Sequence, residues 1–265
     1  MKSKINLAIF DADDTLIDTK KRDYFTFVYL IKKYKHFNFK YLDYGDFIKK
    51  RRRGKTAMEL IDSIIPKNLA NRSEILVTCI KDRNSIFEND KYLLHDQVLE
   101  GVEQVLQLLR EKHIKIGIVS LRKNSNGFRK TLDRFKLSQL VEVCYCSGDL
   151  EPEDCNIHSL DNIRNINPLT SSQHVHIKVC LYKKIAASLN IQISKAIVVG
   201  DRITDLIAAK IVGAIPIGVQ SGYTNGETLR KDGMAYDVIK DVTYLPLALQ
   251  KLQNIENIEV GFDML

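Results

Sequence analysis

Two apolar runs in this chain end abruptly in acid, and that pattern constrains the fold more than any other feature. Ile5 to Phe10 leads into Asp11-Ala12-Asp13-Asp14-Thr15-Leu16, and Ala196 to Val199 leads into Gly200-Asp201-Arg202-Ile203-Thr204-Asp205. The first run is apolar on both faces, as a strand of a buried parallel sheet is. In an open α/β sheet the ligand crevice lies beyond the carboxyl ends of the strands. Three carboxylates within four positions repel one another, and a cation relieves the repulsion. Alone, the first run also reads as a strand followed by an acidic turn that caps a helix. The second run supplies the context. Gly200 permits a tight turn or a close approach. Asp201 falls at a strand end and Asp205 at the start of the next helix, so both can face one crevice. Two strand-terminal acid clusters make a hard-cation site built from oxygen ligands. Asp205 by itself would read only as an acid at a helix N-terminus.

Between the two runs the pattern changes once. Residues 17–95 read as helical without a strand. Tyr24, Phe25, Val28, Tyr29, Ile31 and Tyr34 form an apolar face, Thr56 to Glu59 has capping-box spacing, Pro66 ends that helix, and a further helix covers about 72 to 88. From residue 96, helix and strand alternate. Strands are expected near 114–120, 141–146, 196–199 and 214–219, with helices between them, one over about 178–189, which argues for a parallel sheet. The expected architecture is therefore α/β, with a core of residues 1–16 and 96–265 and a helical module of residues 17–95 inserted after the first strand. The stretch 147–176 reads as a long loop or insertion.

Composition narrows the class. The chain of 265 residues can bury a substantial core. Asp11 interrupts the N-terminal apolar run too early for a signal peptide, and no run approaches membrane-spanning length. An odd number of cysteines in a long chain without such a signal points to a reducing cytosol. The net charge of +7 is carried by the helical module, where residues 17–95 hold 18 basic and 10 acidic side chains. Its densest point is Lys49-Lys50-Arg51-Arg52-Arg53-Gly54-Lys55, read as a solvated helix end, an attractor of phosphorylated substrates or a nucleic-acid contact.

The acid motifs, with Ser120 closing an apolar strand, resemble motifs one, two and four of the haloacid dehalogenase-like (HAD) phosphohydrolases. The order and separation of Asp11-Ala12-Asp13-Asp14-Thr15-Leu16, Ser120 and Gly200-Asp201-x-x-x-Asp205 fit, as does a helical insertion of the type called a C1 cap. Ala209 to Tyr223 is also similar to the stretch beyond motif four in that family. The resemblance implies a Rossmann-like core and a Mg²⁺-dependent phosphatase acting on a small phosphorylated metabolite. A carboxylate nucleophile must be shielded from an anionic ester, and a divalent cation on Asp11 and Asp201 provides the shielding. Asp11 is then the nucleophile and Asp13 the general acid and base. The family also takes the backbone carbonyl of residue 13 as a metal ligand. Ser120 would donate a hydrogen bond to the phosphoryl group, and Asp205 would support the metal. Asp14 stands where many relatives have glycine, which leaves the local turn geometry open.

The family's phosphoryl-stabilising lysine often precedes proline, and no Lys-Pro exists here. Lys178 is the candidate, because Lys178, Tyr182, Ile185 and Leu189 share a helical stripe, and a lysine in the first turn of such a stripe needs an anion. His176 or another lysine is the alternative. In the basic module, at least one of Arg51, Arg52 and Arg53 is expected to contact substrate. A haloacid dehalogenase and a phosphonate hydrolase are disfavoured by Asp13. A sugar phosphomutase keeps both acids and stays open, as does a non-enzymatic module binding RNA or a partner through its basic segment. Nucleic acid and membrane are not the expected partners. Finally, Cys144, Cys146, Cys155, His158, His174, His176 and Cys180 crowd one region, so Cys155-x-x-His158 could chelate zinc. The pattern lacks the paired short knuckles of well-known zinc motifs, and the main reading is that Cys144 and Cys146 are strand residues and the histidines decorate a loop.

Overall fold

The computed structural model describes residues 5–155 and 171–252. Its core is a six-stranded, wholly parallel sheet in the order β5-β4-β1-β6-β7-β8. The strands are β1 (Leu7–Asp11), β4 (Lys115–Ser120), β5 (Val143–Cys146), β6 (Ala196–Gly200), β7 (Ile215–Val219) and β8 (Asp237–Ile239). β1 is buried throughout, and its alternate residues feed two separate cores. Ala8 and Phe10 pack on one side with α6 (Val102–Glu111), α7 (Ser125–Arg134) and the helical residues 245–252. Leu7 and Ile9 pack on the other with α9 (Ser171–Ser188) and α10 (Ile203–Val212). That two-sided burial is why the run reads as unbroken apolar sequence.

The helices α1 (Lys20–Lys33), α2 (Tyr44–Arg52), α3 (Ala57–Ile64), α4 (Arg72–Phe87) and α5 (Asp90–Leu93) enclose a third apolar cluster, with Phe27, Leu30, Phe47, Leu60, Ile61 and Cys79 at its centre. Thr56 and Glu59 form the expected reciprocal capping box, and α3 stops at Ile64, before Pro66. Two chain crossings join this segment to the sheet. They carry the two-residue strands β2 (Ile17–Asp18) and β3 (Gln97–Val98), which pair antiparallel. The helical block is thus not free of strand at its margin, because the two crossings satisfy each other's backbone groups.

Two expectations are corrected. α1 buries Tyr24, Phe27 and Leu30 with the charged or polar Lys20, Arg22, Asp23 and Thr26, whereas Phe25 is exposed and stacks on His95. The helix is rotated from its most apolar stripe because its polar side meets charged groups of the sheet's loops. α9 begins at Ser171, seven residues before Lys178, so that lysine lies two turns inside the helix, beyond the reach of the dipole at its N-terminus. Residues 147–149 form a 3-10 turn and Pro152–Cys155 the short α8. The remainder of the irregular stretch, with His158, lies outside the described residues. α11 (Gly226–Lys231) and β8, unforeseen in the sequence, complete the far edge of the sheet. No helix among the described residues is long and apolar enough to cross a membrane.

Candidate active site

The strand order makes the site. β1 lies between β4 and β6, with Phe10 beside Val199 and Asp11 beside Val119. Asp11, Asp201 and Ser120 therefore end three adjacent strands at one edge of the sheet. Asp205 joins them from the first turn of α10, where it accepts the Arg202 N–H at 3.1 Å. All four are buried. Gly200 makes room for Asp205: a Cβ there would lie 2.5 Å from the Asp205 carboxylate. A Cβ on Gly222 would overlap the Asp201 carboxylate. Both positions thus require the smallest residue for a steric reason.

Carboxylate oxygens of Asp11, Asp201 and Asp205 lie within 4.8 Å of one another. Lys178 is buried with them, its Nζ touching Asp11 Oδ1 and lying 2.9 Å from Asp205 Oδ1. Burial pushes the Asp11 carboxyl up to about 7, with Lys178 pulling it down and Asp205 adding to the rise. Burial likewise drives Asp201 well above the carboxylate range, against the pull of Arg202. Lys178 moves the other way: burial works against its charge, but Asp11 and Asp205 outweigh it and hold the ammonium protonated. Lys178 and Arg202 together do not offset the burial of these acids, since Asp11 and Asp201 stay raised, and full ionisation of the three needs further positive charge. Asp201 Oδ1 also accepts no hydrogen bond, although it is sealed from solvent. Oxygen donors with surplus negative charge and an orphaned acceptor fit a hard divalent cation such as Mg²⁺.

Asp13 is engaged differently. Its carboxylate takes Arg122 Nη2 at 2.5 Å and Nε at 3.1 Å, Arg22 Nη2 at 3.1 Å and, more loosely, the Ser120 hydroxyl at 3.5 Å. Burial would raise its pKa, but the two guanidinium groups prevail and hold it well below the usual carboxylate range. Both arginines also pair with Asp96, from Arg22 Nε at 3.2 Å and Arg122 Nη2 at 3.0 Å. Arg122 further donates to Thr131 Oγ1 at 3.0 Å. Arg22 comes from α1, Asp96 from the edge of β3 and Arg122 from the loop after β4, so this buried network ties the helical segment to the sheet.

Asp14 has φ +63°, the left-handed conformation that glycine adopts freely and aspartate tolerates. Its carboxylate accepts the Thr19 N–H at 3.1 Å and hydroxyl at 2.9 Å, fixing the entry to α1. Of the basic run, Arg51 reaches the rim. It donates to Asp23 Oδ2 at 3.2 Å and lies 4.3 Å over the Tyr223 ring, whose hydroxyl also donates to Asp23 at 3.2 Å. Arg52 and Arg53 are exposed. His176 lies beside Cys180. Arg22, Asp96 and Arg122 are not foreseen in the sequence. The one available signal was an arginine two residues beyond a strand-ending serine.

A parallel α/β core with strand-end acids and a buried lysine defines a Rossmann-like protein with an acidic site at the carboxyl ends of its strands. The model of the haloacid dehalogenase-like hydrolase family matches residues 5–213, and the chain belongs to that family. Solved structures with the same fold include a protein from Clostridium difficile provisionally described as a phosphatase, with 18% identity, coverage of 94% of this chain and 100% of that one, and TM-score 0.68. A predicted phosphatase from Clostridium acetobutylicum has 21% identity, coverage of 95% and 100%, and TM-score 0.62. A Thermotoga maritima protein provisionally described as a beta-phosphoglucomutase has 17% identity, coverage of 93% and 99%, and TM-score 0.57. None of the curated proteins compared with this chain matches it.

Proposed function

We propose that this hydrolase is a Mg²⁺-dependent phosphatase that cleaves a small phosphorylated metabolite through an aspartyl-phosphate on Asp11. The supporting observation is the convergence of Asp11, Asp201, Asp205 and Lys178 at the ends of two neighbouring parallel strands. Asp11 and Asp201, with the Asp13 carbonyl, would hold the cation and Asp205 would support it; when bound, it offsets phosphoryl charge and orients the ester. In this reading an Asp11 oxygen attacks phosphorus and the P–O bond to the alcohol breaks. Lys178 and Ser120 bind the transferring oxygens. Asp13, once released from Arg122 and Arg22 so that it can carry a proton, gives it to the leaving oxygen, then takes one from the water that attacks the aspartyl-phosphate and frees phosphate. Arg122 from the sheet side and, more weakly, Arg22 from α1 hold Asp13 ionised, so the helical segment, treated as a cap over residues 17–95, contributes one of the two contacts that proton uptake must loosen. The likeness to a protein described as a beta-phosphoglucomutase favours one second reading, a phosphomutase, in which phosphate stays on the substrate.

A panel of phosphate esters assayed for free phosphate tests this. Release should require Mg²⁺, stop with EDTA, and fall by about 10³-fold or more in a folded Asp11→Asn variant. Full activity in chelator, or most of it in Asp11→Asn, would sink the mechanism. An isomerised ester without released phosphate would select the phosphomutase.

A further inference from the structure

A second group of metal-ligating side chains lies on α9, apart from the acids. His176 and Cys180 are four residues apart and share one face of that helix, with Cys180 Sγ 3.6 Å from His176 Nε2. Cys155, the last residue of α8, approaches from the other side, its Cα 5.3 Å from that of Cys180. One ligand atom from each residue falls within 4.8 Å of the other two. In the structure the two sulfurs are joined as a disulfide, and Cys79, Cys144 and Cys146 are free. The three free thiols are poor alternatives. Cys79 lies in the core of the helical segment, and Cys146, on β5, is buried and donates to Ser125 Oγ at 3.3 Å. Cys144 is on β5 and belongs to no group of metal-ligating side chains among the described residues.

The geometry points to a structural zinc site formed by Cys155, His176 and Cys180 when the sulfur pair is reduced. Two thiolates and an imidazole are soft and borderline donors, which suit Zn²⁺ and not the hard cation of the carboxylate group. The chemistry balances with a dithiol as reductant. The dithiol closes its own disulfide and supplies two electrons and two protons, which break the Cys155–Cys180 bond and give two thiols. Each thiol then loses its proton to solvent as a Zn–S bond forms, and neutral His176 donates the Nε2 lone pair with its proton on Nδ1. The fourth tetrahedral position is left for solvent or a further group. Such an ion would tie the end of α8 to α9. Lys178 sits between the two helical ligands, so the ion would fix the part of α9 that carries the lysine to Asp11.

The test uses the full chain, purified with a dithiol reductant, and metal analysis. About one zinc per chain is expected, falling about tenfold or more in Cys155→Ser, Cys180→Ser and His176→Ala. Cys144→Ser and Asp201→Ala should keep it, which separates this site from the carboxylate site. Wild-type chain loaded with Co²⁺ should show a thiolate-to-metal charge-transfer band, a readout that needs no variant. Thiol titration after denaturation in chelator should find all five cysteines free. A reduced chain that takes up neither Zn²⁺ nor Co²⁺ would overturn the proposal and leave a disulfide or an idle thiol pair. Zinc content unchanged in Cys180→Ser would overturn it as well.

Discussion

Arg122 serves two acids at once. Its guanidinium spans Asp13, Asp96 and Thr131. Removing one member of a buried ionic network leaves its partners desolvated and unpaired, at a cost of about 3–5 kcal/mol. Arg122→Met should therefore lower the unfolding free energy obtained from a urea titration by an amount of that order. Arg122→Lys should recover only part, because an ammonium cannot fork to three acceptors in fixed directions. A wild-type melting curve for Arg122→Met would mean that Arg22 alone satisfies both acids. At this scale the sequence was legible where chemistry and chain position coincide. Asp11, Ser120 and Asp201 each close an apolar run. Lys178 was reachable because Tyr182 and Ile185, which share its stripe, face the same core. Arg22, Asp96 and Arg122 come from three distant segments, and no spacing rule links them before the sheet and helices are assembled.

Elements were legible where their periodicity comes from burial alone. β1, β4 and β6 follow the apolar runs closely, and α6 buries the expected Val102, Val105, Leu106 and Leu109. α1 defeated the same logic, because the face it buries is half ionic. α9 defeated it at its start, where His174 and His176 sit within the helix and mask the apolar pattern. That early start has a pH consequence. Burial pushes the His174 imidazole down to about 4, and Arg202 and Lys178 push the same way while Asp205 opposes them. The unfolded chain takes up a proton near pH 6.5, and the folded chain does so only near 4. Stability is then fully present above about pH 6.5 and declines as pH falls towards 4, by up to about 3 kcal/mol. His174→Gln should flatten that limb, measured as the difference in Tm between pH 7 and pH 5. An unchanged difference would mean that His174 is already solvated in the native state.

At the scale of the molecule, charge and connectivity matter most. Residues 17–95 carry the excess of basic side chains, and of the basic run Arg51 lies against Asp23 and Tyr223. Replacing Arg51, Arg52 and Arg53 by Gln should raise KM for the true substrate several-fold and weaken its salt dependence. Most of that change should come from Arg51→Gln, since the other two are exposed. Turnover of p-nitrophenyl phosphate should alter much less. Equal KM across the substrate panel would make the run a solvated helix end, and loss of RNA binding instead would favour a binding module.

The paired crossings of β2 and β3 bear on how the chain assembles. Leu7 lies beside Lys115 in the sheet, although the whole helical segment separates them in sequence. Pairing β1 with β4 thus closes a loop of roughly a hundred residues, at an entropic cost that rises with the logarithm of length. The ladder from Ile17–Asp18 to Gln97–Val98 pinches that loop at its neck, and the segment has an apolar cluster of its own. Once the segment has collapsed and the neck has zipped, only a short tether separates the two strands. The expected order is helical segment first, then β1 on β4, then β6. Pulsed hydrogen exchange during refolding should find the amides of α1 and α4 protected before those of β6, and simultaneous protection would refute the order. On this route Asp11 waits, paired with nothing, until the last third of the chain arrives with Lys178, Asp201 and Asp205. A ribosome-bound or truncated chain therefore holds Asp11 without the lysine and carboxylates that surround it in the folded site.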